Sequence, residues 1–162
     1  CLAMVEQFRC TTAADVADTV CKTALLRPGI VPLSDLPIQT IRDGVNSPQW
    51  EPYRNWFVAC CALISYREGQ FDEAIRWTTR MPTFPSQPGA MALVVRAMSE
   101  HQLGQVEAAR ESLKAAELQI PLVLRTLGAE GDSTALPVPA GTTDHDWLVP
   151  ELLRREANAL LK

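Results

Sequence analysis

The chain has 162 residues, 47% of them apolar and 21% charged, which is the composition of one globular domain with a sizeable core rather than a disordered tail. Fifteen Lys and Arg against nineteen Asp and Glu give a net charge of −4. No basic excess points to nucleic acid or a membrane surface, so we expect neither as a partner. The chain starts at Cys1 rather than Met, and we expect it to be part of a longer protein.

Apolar residues recur with helical spacing between breaks rich in proline and glycine, and no segment alternates with the period of a strand. The spacing predicts helices over residues 13–26, 35–45, 51–67, 71–81, 88–103, 106–118 and 147–161. We therefore expect an all-α fold. The longest apolar run, residues 57–64, is shorter than the roughly 20 residues that a membrane-spanning helix needs.

Residues 122–146 interrupt this helical pattern. From residue 126 onward they hold three glycines and two prolines among Ser, Thr and Asp, with few apolar residues. Such composition predicts a long loop, and loops of this length inside a domain are uncommon. We interpret this segment as a strap that leads to the last helix. The alternative is a functional lid.

One motif occurs twice, 35 residues apart. Gly69-Gln70-Phe71-Asp72-x-Ala74 is repeated as Gly104-Gln105-Val106-Glu107-x-Ala109. The glycine suits a tight turn between two helices, and the alanine suits a close helix crossing. The acidic residue falls in the first turn of the second helix, where the helix dipole favours it. We also expect Phe71 and Val106 to pack back into the groove between the helices.

A period close to 34 residues with this pattern resembles the tetratricopeptide repeat. The resemblance implies a single domain over 1–162 that forms an α-solenoid of two to three helical hairpins. Its parts would be diverged helices over 1–46, repeats over 51–81 and 88–121, the loop over 122–146 and a capping helix over 147–162. Thr78 and Met81 depart from the pattern in the first repeat, and Glu100 departs from it in the second.

A narrower resemblance is to the C-terminal repeat region of large bacterial multidomain serine/threonine protein kinases. The segments that carry it are Cys1-x-x-Met4-x-x-x-Phe8, Ala14-Asp15-x-x-Asp18-x-x-x-Lys22, Leu25-Leu26-x-Pro28-Gly29, Tyr66-Arg67-x-Gly69, Asp146-Trp147-Leu148 and Leu153-Arg154-Arg155-Glu156-Ala157. It implies that this chain follows a kinase domain in a signalling protein. No phosphate-binding loop or kinase catalytic motif occurs in the chain itself.

We expect no catalytic residues, no cofactor and no metal site in this chain, and hence no enzymatic activity of its own. Asp144-His145-Asp146 has the ligand types of a metal site but lacks the recurring spacing of one. An aspartate capping the last helix is the simpler interpretation. An all-α enzyme with the long loop as a lid stays as an alternative, although no nucleophile and base accompany that loop.

The resemblance implies a concave partner-binding face formed by the first helix of each repeat. Its residues are Trp56, Leu63, Tyr66, Arg67, Met91, Val94, Met98 and His101. We call this set the A-helix face. Because it is mostly apolar, with Arg67 as its cation, a protein or peptide partner is expected, or the chain's own helix 147–161 filling the groove. A cluster of cations that would hold a peptide carboxylate is not predicted.

The five cysteines form no Cys-x-x-Cys pair, and Cys60 and Cys61 lie in an apolar helix. They are interpreted as structural thiols of a reducing compartment, which predicts a cytoplasmic protein. The sequence thus favours a non-catalytic interaction or scaffold module of a bacterial signalling protein. The alternative is a standalone small helical regulator that acts as a homodimer.

Overall fold

The computed structural model describes residues 1–82, 85–120 and 144–162, with side chains in the last stretch from Trp147 onward. These residues form α-helices and short 3₁₀ turns without strands, which confirms the all-α prediction. The helices are α1 (Leu2–Phe8), α2 (Ala14–Leu25), α3 (Ile38–Asn46), α4 (Arg54–Arg67), α5 (Phe71–Thr78), α6 (Gln87–Gln102), α7 (Val106–Gln119) and α8 (Asp144–Leu160).

Prolines shift the starts of two helices from their predicted positions. Helices α3 and α4 were expected from residues 35 and 51, but 3₁₀ turns over Leu33–Asp35 and Pro48–Tyr53 precede them. Leu36 is extended, with φ −94° and ψ 145°, because the ring of the following Pro37 disfavours the helical conformation there. Helical periodicity therefore places the apolar face correctly but not the first turn.

Three further boundaries differ from the sequence prediction. Helix α1 was not predicted, and α5 ends at Thr78 rather than at residue 81. Helix α8 begins at Asp144, so residues 144–146 are helical and do not belong to the predicted loop. The rest of that loop, together with its interpretation as a strap or lid, lies outside the described residues.

Two consecutive helical hairpins carry the repeated motif, α4 with α5 and α6 with α7. Gly69 and Gly104 turn the chain between their helices, and both have φ +75°. Each turn is closed by a bond that spans six residues, from Gln70 N–H to the Ser65 carbonyl and from Gln105 N–H to the Glu100 carbonyl, both 2.9 Å. A Cβ at either glycine would contact nothing within 4 Å. The left-handed backbone is therefore the reason for glycine, as the sequence predicted.

The other motif residues divide into confirmed and corrected predictions. Ala74 and Ala109 are fully buried, and the Phe71 ring lies 5.7 Å from the Tyr66 ring. Val106 does not pack in the same way, since 39% of it is exposed. A valine at the start of α7 is too short to reach the place that the phenylalanine ring fills in the first hairpin.

Helices α4 and α6 form the centre of the molecule. Helix α4 contacts α2, α3, α5 and α6, while α6 contacts α4, α5, α7 and α8. All residues from Phe57 to Tyr66 are buried as a result. A helix surrounded in this way needs apolar residues all round rather than a stripe.

Candidate functional site

Most residues of the predicted A-helix face are buried in the fold. Its fully buried members are Leu63, Met91, Val94 and Met98. These four residues are therefore not open to a partner in this state, and partner binding by the face stays a prediction. Trp56 and His101 are partly exposed, and the Lys22 ammonium lies 4.0 Å from the centre of the Trp56 ring.

Arg67, in the last turn of α4, joins three helices. Its Nη1 and Nη2 donate to the two carboxylate oxygens of Glu156 on α8, at 2.5 and 2.6 Å. Its Nε donates to the main-chain carbonyl of Leu25 at the end of α2, at 3.0 Å. The side chain is 7% exposed, and its guanidinium lies 5.3 Å from the centre of the Tyr66 ring. This parallel pairing of a guanidinium with a carboxylate is the strongest geometry that the two groups form.

Glu156 also acts on Tyr66, the neighbour of Arg67. Burial raises the pKa of the Tyr66 hydroxyl above its ordinary value, and the negative charge of Glu156 raises it further. The Arg67 charge and a side-chain hydrogen bond with Gln102 oppose this shift. Tyr66, Arg67, Gln102 and Glu156 therefore meet where the ends of α4 and α6 approach α8.

His101 precedes Gln102 at this junction. Its Nδ1 is buried, and no described residue supplies a hydrogen-bond partner for it. His101 occupies the place in the second repeat that Tyr66 occupies in the first, because 101 and 66 differ by the repeat spacing of 35. The A-helix face therefore has a partly buried imidazole on α6 at the position that matches Tyr66 on α4.

Helix α8 is fixed to α7 by a second group of polar contacts. Arg154 Nη1 donates to Glu117 at 3.1 Å, and Asn158 donates to the same carboxylate at 3.4 Å. Glu151, which is 1% exposed, accepts from Arg154 and Arg155 of its own helix. Helix α8 packs mainly on α6 and only lightly on α7. Its links to the rest of the fold therefore include two charged contacts, at Arg67 and at Glu117.

The buried serine Ser112 belongs to a hydrogen-bonded network of side chains on α6 and α7. Ser112 Oγ donates to Glu100 Oε2 at 2.7 Å, and Arg96 Nε donates to Glu100 Oε1 at 2.7 Å. Glu100 is 2% exposed and Ser112 is 8% exposed. The polar atoms of both side chains are therefore satisfied inside the fold, as those of buried polar groups usually are. This network joins α6 to α7 and gives the buried Glu100 carboxylate two hydrogen-bond donors.

A cavity of about 430 Å³ lies beside that network, between α5 and α6. Its lining includes Thr78, Met81, Leu93, Arg96 and Gln119. Arg96 is the charged residue of this wall, and its guanidinium is already paired with Glu100. No described acid or base is left in the wall to act on a ligand.

Three buried thiols lie on helices α2 and α4. Cys21, Cys60 and Cys61 are buried, unbridged cysteines, as the sequence predicted for Cys60 and Cys61. Burial raises the pKa of Cys21 and of Cys61 to about 12, and it raises that of Cys60 as well. Across the described stretches no three His, Cys, Asp or Glu residues group to hold a metal ion. The side chains of Asp144, His145 and Asp146 are not among those described.

Sequence reasoning found Arg67 but missed its partner. The partner is Glu156 of α8, whose carboxylate faces Arg67 and is 24% exposed. The available signal was its position beside Leu153 and Ala157, both of which are fully buried. A glutamate flanked in this way lies at the margin of the buried face of α8.

Searches of protein-family models, curated proteins and solved structures find nothing that matches the chain. None of the described helices combines the length and the apolar character needed to cross a membrane. The candidate function therefore depends on the residues and contacts described above.

Proposed function

We propose that the chain is a tetratricopeptide-like interaction or scaffold module that binds a protein or peptide through its A-helix face. The observation that carries this proposal is the repetition of one hairpin, with glycine turns of the same φ placed 35 residues apart. Repeated hairpins of this kind stack side by side and build binding surfaces from their equivalent helices. In this chain the equivalent helices are α4 and α6, which contact each other.

The proposed module is non-catalytic. Support comes from the Arg96–Glu100–Ser112 network, in which the buried carboxylate and hydroxyl are engaged with each other and with an arginine. Its proposed place is the cytoplasm, because three buried, unbridged cysteines suit a reducing compartment. The proposed parent is a multidomain bacterial serine/threonine protein kinase or a related signalling protein.

The alternative is a standalone helical regulator that forms a homodimer. An antibody against this region, applied to a lysate of the source cells, separates the two. A band far above the mass of 162 residues supports a module of a larger protein. A band near that mass supports the standalone protein, and light scattering then shows whether it is a dimer.

Partner binding is tested by selecting helical peptides from a randomised display library against the full chain. Fluorescence anisotropy gives their dissociation constants, and hydrogen exchange gives their footprint. We expect micromolar binders that protect amides of α4 near Arg67 and of α6 near His101, which are partly exposed members of the face. The proposal is wrong if no peptide binds below about 100 µM, a free energy near −5.5 kcal/mol. A footprint confined to other helices would also overturn it.

A further inference from the structure

Helix α8 is placed to compete with a partner for the A-helix face. Glu156 of α8 is bonded to Arg67 of that face and is close enough to Tyr66 to raise its pKa. Leu153 and Ala157, on either side of Glu156 along one side of α8, are completely buried. The contacts of α8 with Arg67 and Tyr66 are therefore ones that an external helix would also make with this part of the face.

We propose that α8 is a displaceable occupant of this face, and that the helix which displaces it carries a carboxylate at the place of Glu156. This inference rests on the proposed function. The partner is an amphipathic helix with an apolar residue three positions before a glutamate or aspartate and a small residue directly after it. The pattern is that of Leu153, Glu156 and Ala157.

The requirement for a carboxylate follows from the burial of Arg67. When α8 leaves, the guanidinium keeps its bond to the Leu25 carbonyl but loses both bonds to Glu156. With α8 in place the Arg67 side chain is 7% exposed. A helix that takes the place of α8 buries this cation again, and burying it without a counter-charge is costly. A helix that offers an amide in place of the carboxylate supplies no compensating charge. Such a helix competes with α8 less well than one with an acidic residue.

The position of α8 in the chain suits displacement. Helices α6 and α7 are joined by a turn over residues 103–105, whereas residues 120–143 separate α7 from α8 in the sequence. Helix α8 packs mainly on one neighbour, while α4 and α6 each contact four helices. Elements with fewer contacts open at lower free energy than the centre of a fold.

The test uses a fluorescein-labelled peptide of residues 144–162 and the full chain. We expect the Glu156→Gln chain to bind this peptide at least about tenfold more tightly than the wild-type chain, because its own α8 competes less. The matched control is Glu107→Gln, which makes the same change in an exposed pair with Arg110. The control chain should bind the peptide as the wild type does. Equal affinity of the Glu156→Gln and wild-type chains would overturn the proposal.

Two further measurements do not use the affinity of the Glu156→Gln chain for the wild-type peptide. A peptide that itself carries Glu156→Gln should reach half-maximal binding to the wild-type chain at an about tenfold higher concentration than the wild-type peptide. Hydrogen exchange of the Glu156→Gln chain should show faster exchange in α8 with unchanged protection in α4. Equal binding of the two peptides, or unchanged exchange in α8, would contradict the proposal. Loss of protection in α4 would also contradict it, because α8 and α4 would then open together as one cooperative unit.

These results separate the proposal from the function on which it rests. If library peptides bind the face without an acidic residue and without displacing α8, the module function stands and the role of α8 is wrong. If the α8 peptide binds with the expected need for Glu156 while no library peptide binds, the charged contact stands and the partner-binding function is wrong.

Discussion

Two buried serines on the central helices have hydroxyls in opposite situations. Ser99 Oγ donates to the Val95 carbonyl at 2.8 Å, whereas Ser65 Oγ is buried with no partner among the described residues. Both residues are fully buried. We expect Ser65→Ala to raise the free energy of unfolding by about 1 kcal/mol, since it removes an unsatisfied hydroxyl and improves helix propensity.

Ser99→Ala is the matched control for this prediction. It removes a hydroxyl that has a partner, so we expect it to be neutral or to destabilise by up to about 1 kcal/mol. Urea denaturation of the two variants gives the comparison. A greater loss of stability for Ser65→Ala than for Ser99→Ala would show that Ser65 makes a contact of its own.

The five cysteines should divide into two classes by reactivity. Cys1 and Cys10 are exposed, whereas Cys21, Cys60 and Cys61 are buried with raised pKa values. Because the thiolate is the reactive form, a disulfide reagent at pH 8 should titrate two thiols quickly and the other three only as the chain unfolds. A third fast thiol in the folded chain would contradict the described burial.

The raised thiol pKa values also predict a loss of stability in alkali. Well below pH 9 these thiols keep their protons in both the folded and the unfolded chain. Above pH 9.0, their ordinary pKa, the unfolded chain loses protons that the folded chain retains until about pH 12 for Cys21 and Cys61. We therefore expect the free energy of unfolding to fall with rising pH across this interval, and to fall less when Cys21 and Cys61 are replaced by alanine.

At the level of helices, one glycine fixes how closely α2, α3 and α4 approach. A Cβ added to Gly44 on α3 would lie 2.8 Å from the Ala14 Cβ on α2 and 3.2 Å from the Phe57 ring on α4. Replacing a glycine by alanine within an exposed helix usually raises the free energy of unfolding by about 1 kcal/mol. We expect Gly44→Ala instead to destabilise by about 1–2 kcal/mol, because overpacking outweighs that gain.

The double variant Gly44→Ala with Ala14→Gly tests the cause. Removing the methyl group of Ala14 relieves the shortest contact, so the double variant should be more stable than the sum of the two single effects predicts. Thermal unfolding of all four chains gives the coupling energy. Additive effects would mean that the contact with Ala14 is not what excludes alanine from position 44.

The sequence predicted those helices that have a strong period and those turns that have a special residue. It placed Gly69 and Gly104 correctly, because a left-handed turn leaves a glycine visible in the chain. It could not show that Gly44 marks a close crossing, since that depends on how α2, α3 and α4 pack together. The pairing of Arg67 with Glu156 was not predicted for a related reason: the two residues lie 89 positions apart in the sequence.

For the whole molecule, the described apolar residues form one core that runs from Val5 in α1 to Ala157 in α8. The central helices α4 and α6 connect its two halves, while α1 packs on α2 and α8 packs mainly on α6. Arg67 belongs to both regions, because it lies on α4 and holds the ends of α2 and α8. A single side chain thus links segments that are distant in the sequence.

Replacing Arg67 should therefore cost more than replacing an arginine in a local or exposed pair. We expect Arg67→Gln to lower the free energy of unfolding by about 2–3 kcal/mol, because the Leu25 carbonyl and the Glu156 carboxylate both lose a buried donor. Arg42→Gln is the matched control: Arg42 pairs with Glu68 at 3.2 Å and is 37% exposed, so its loss should cost less than about 1 kcal/mol. Urea denaturation of both variants makes the comparison. Equal losses would mean that Arg67 does not hold α2 and α8 against α4.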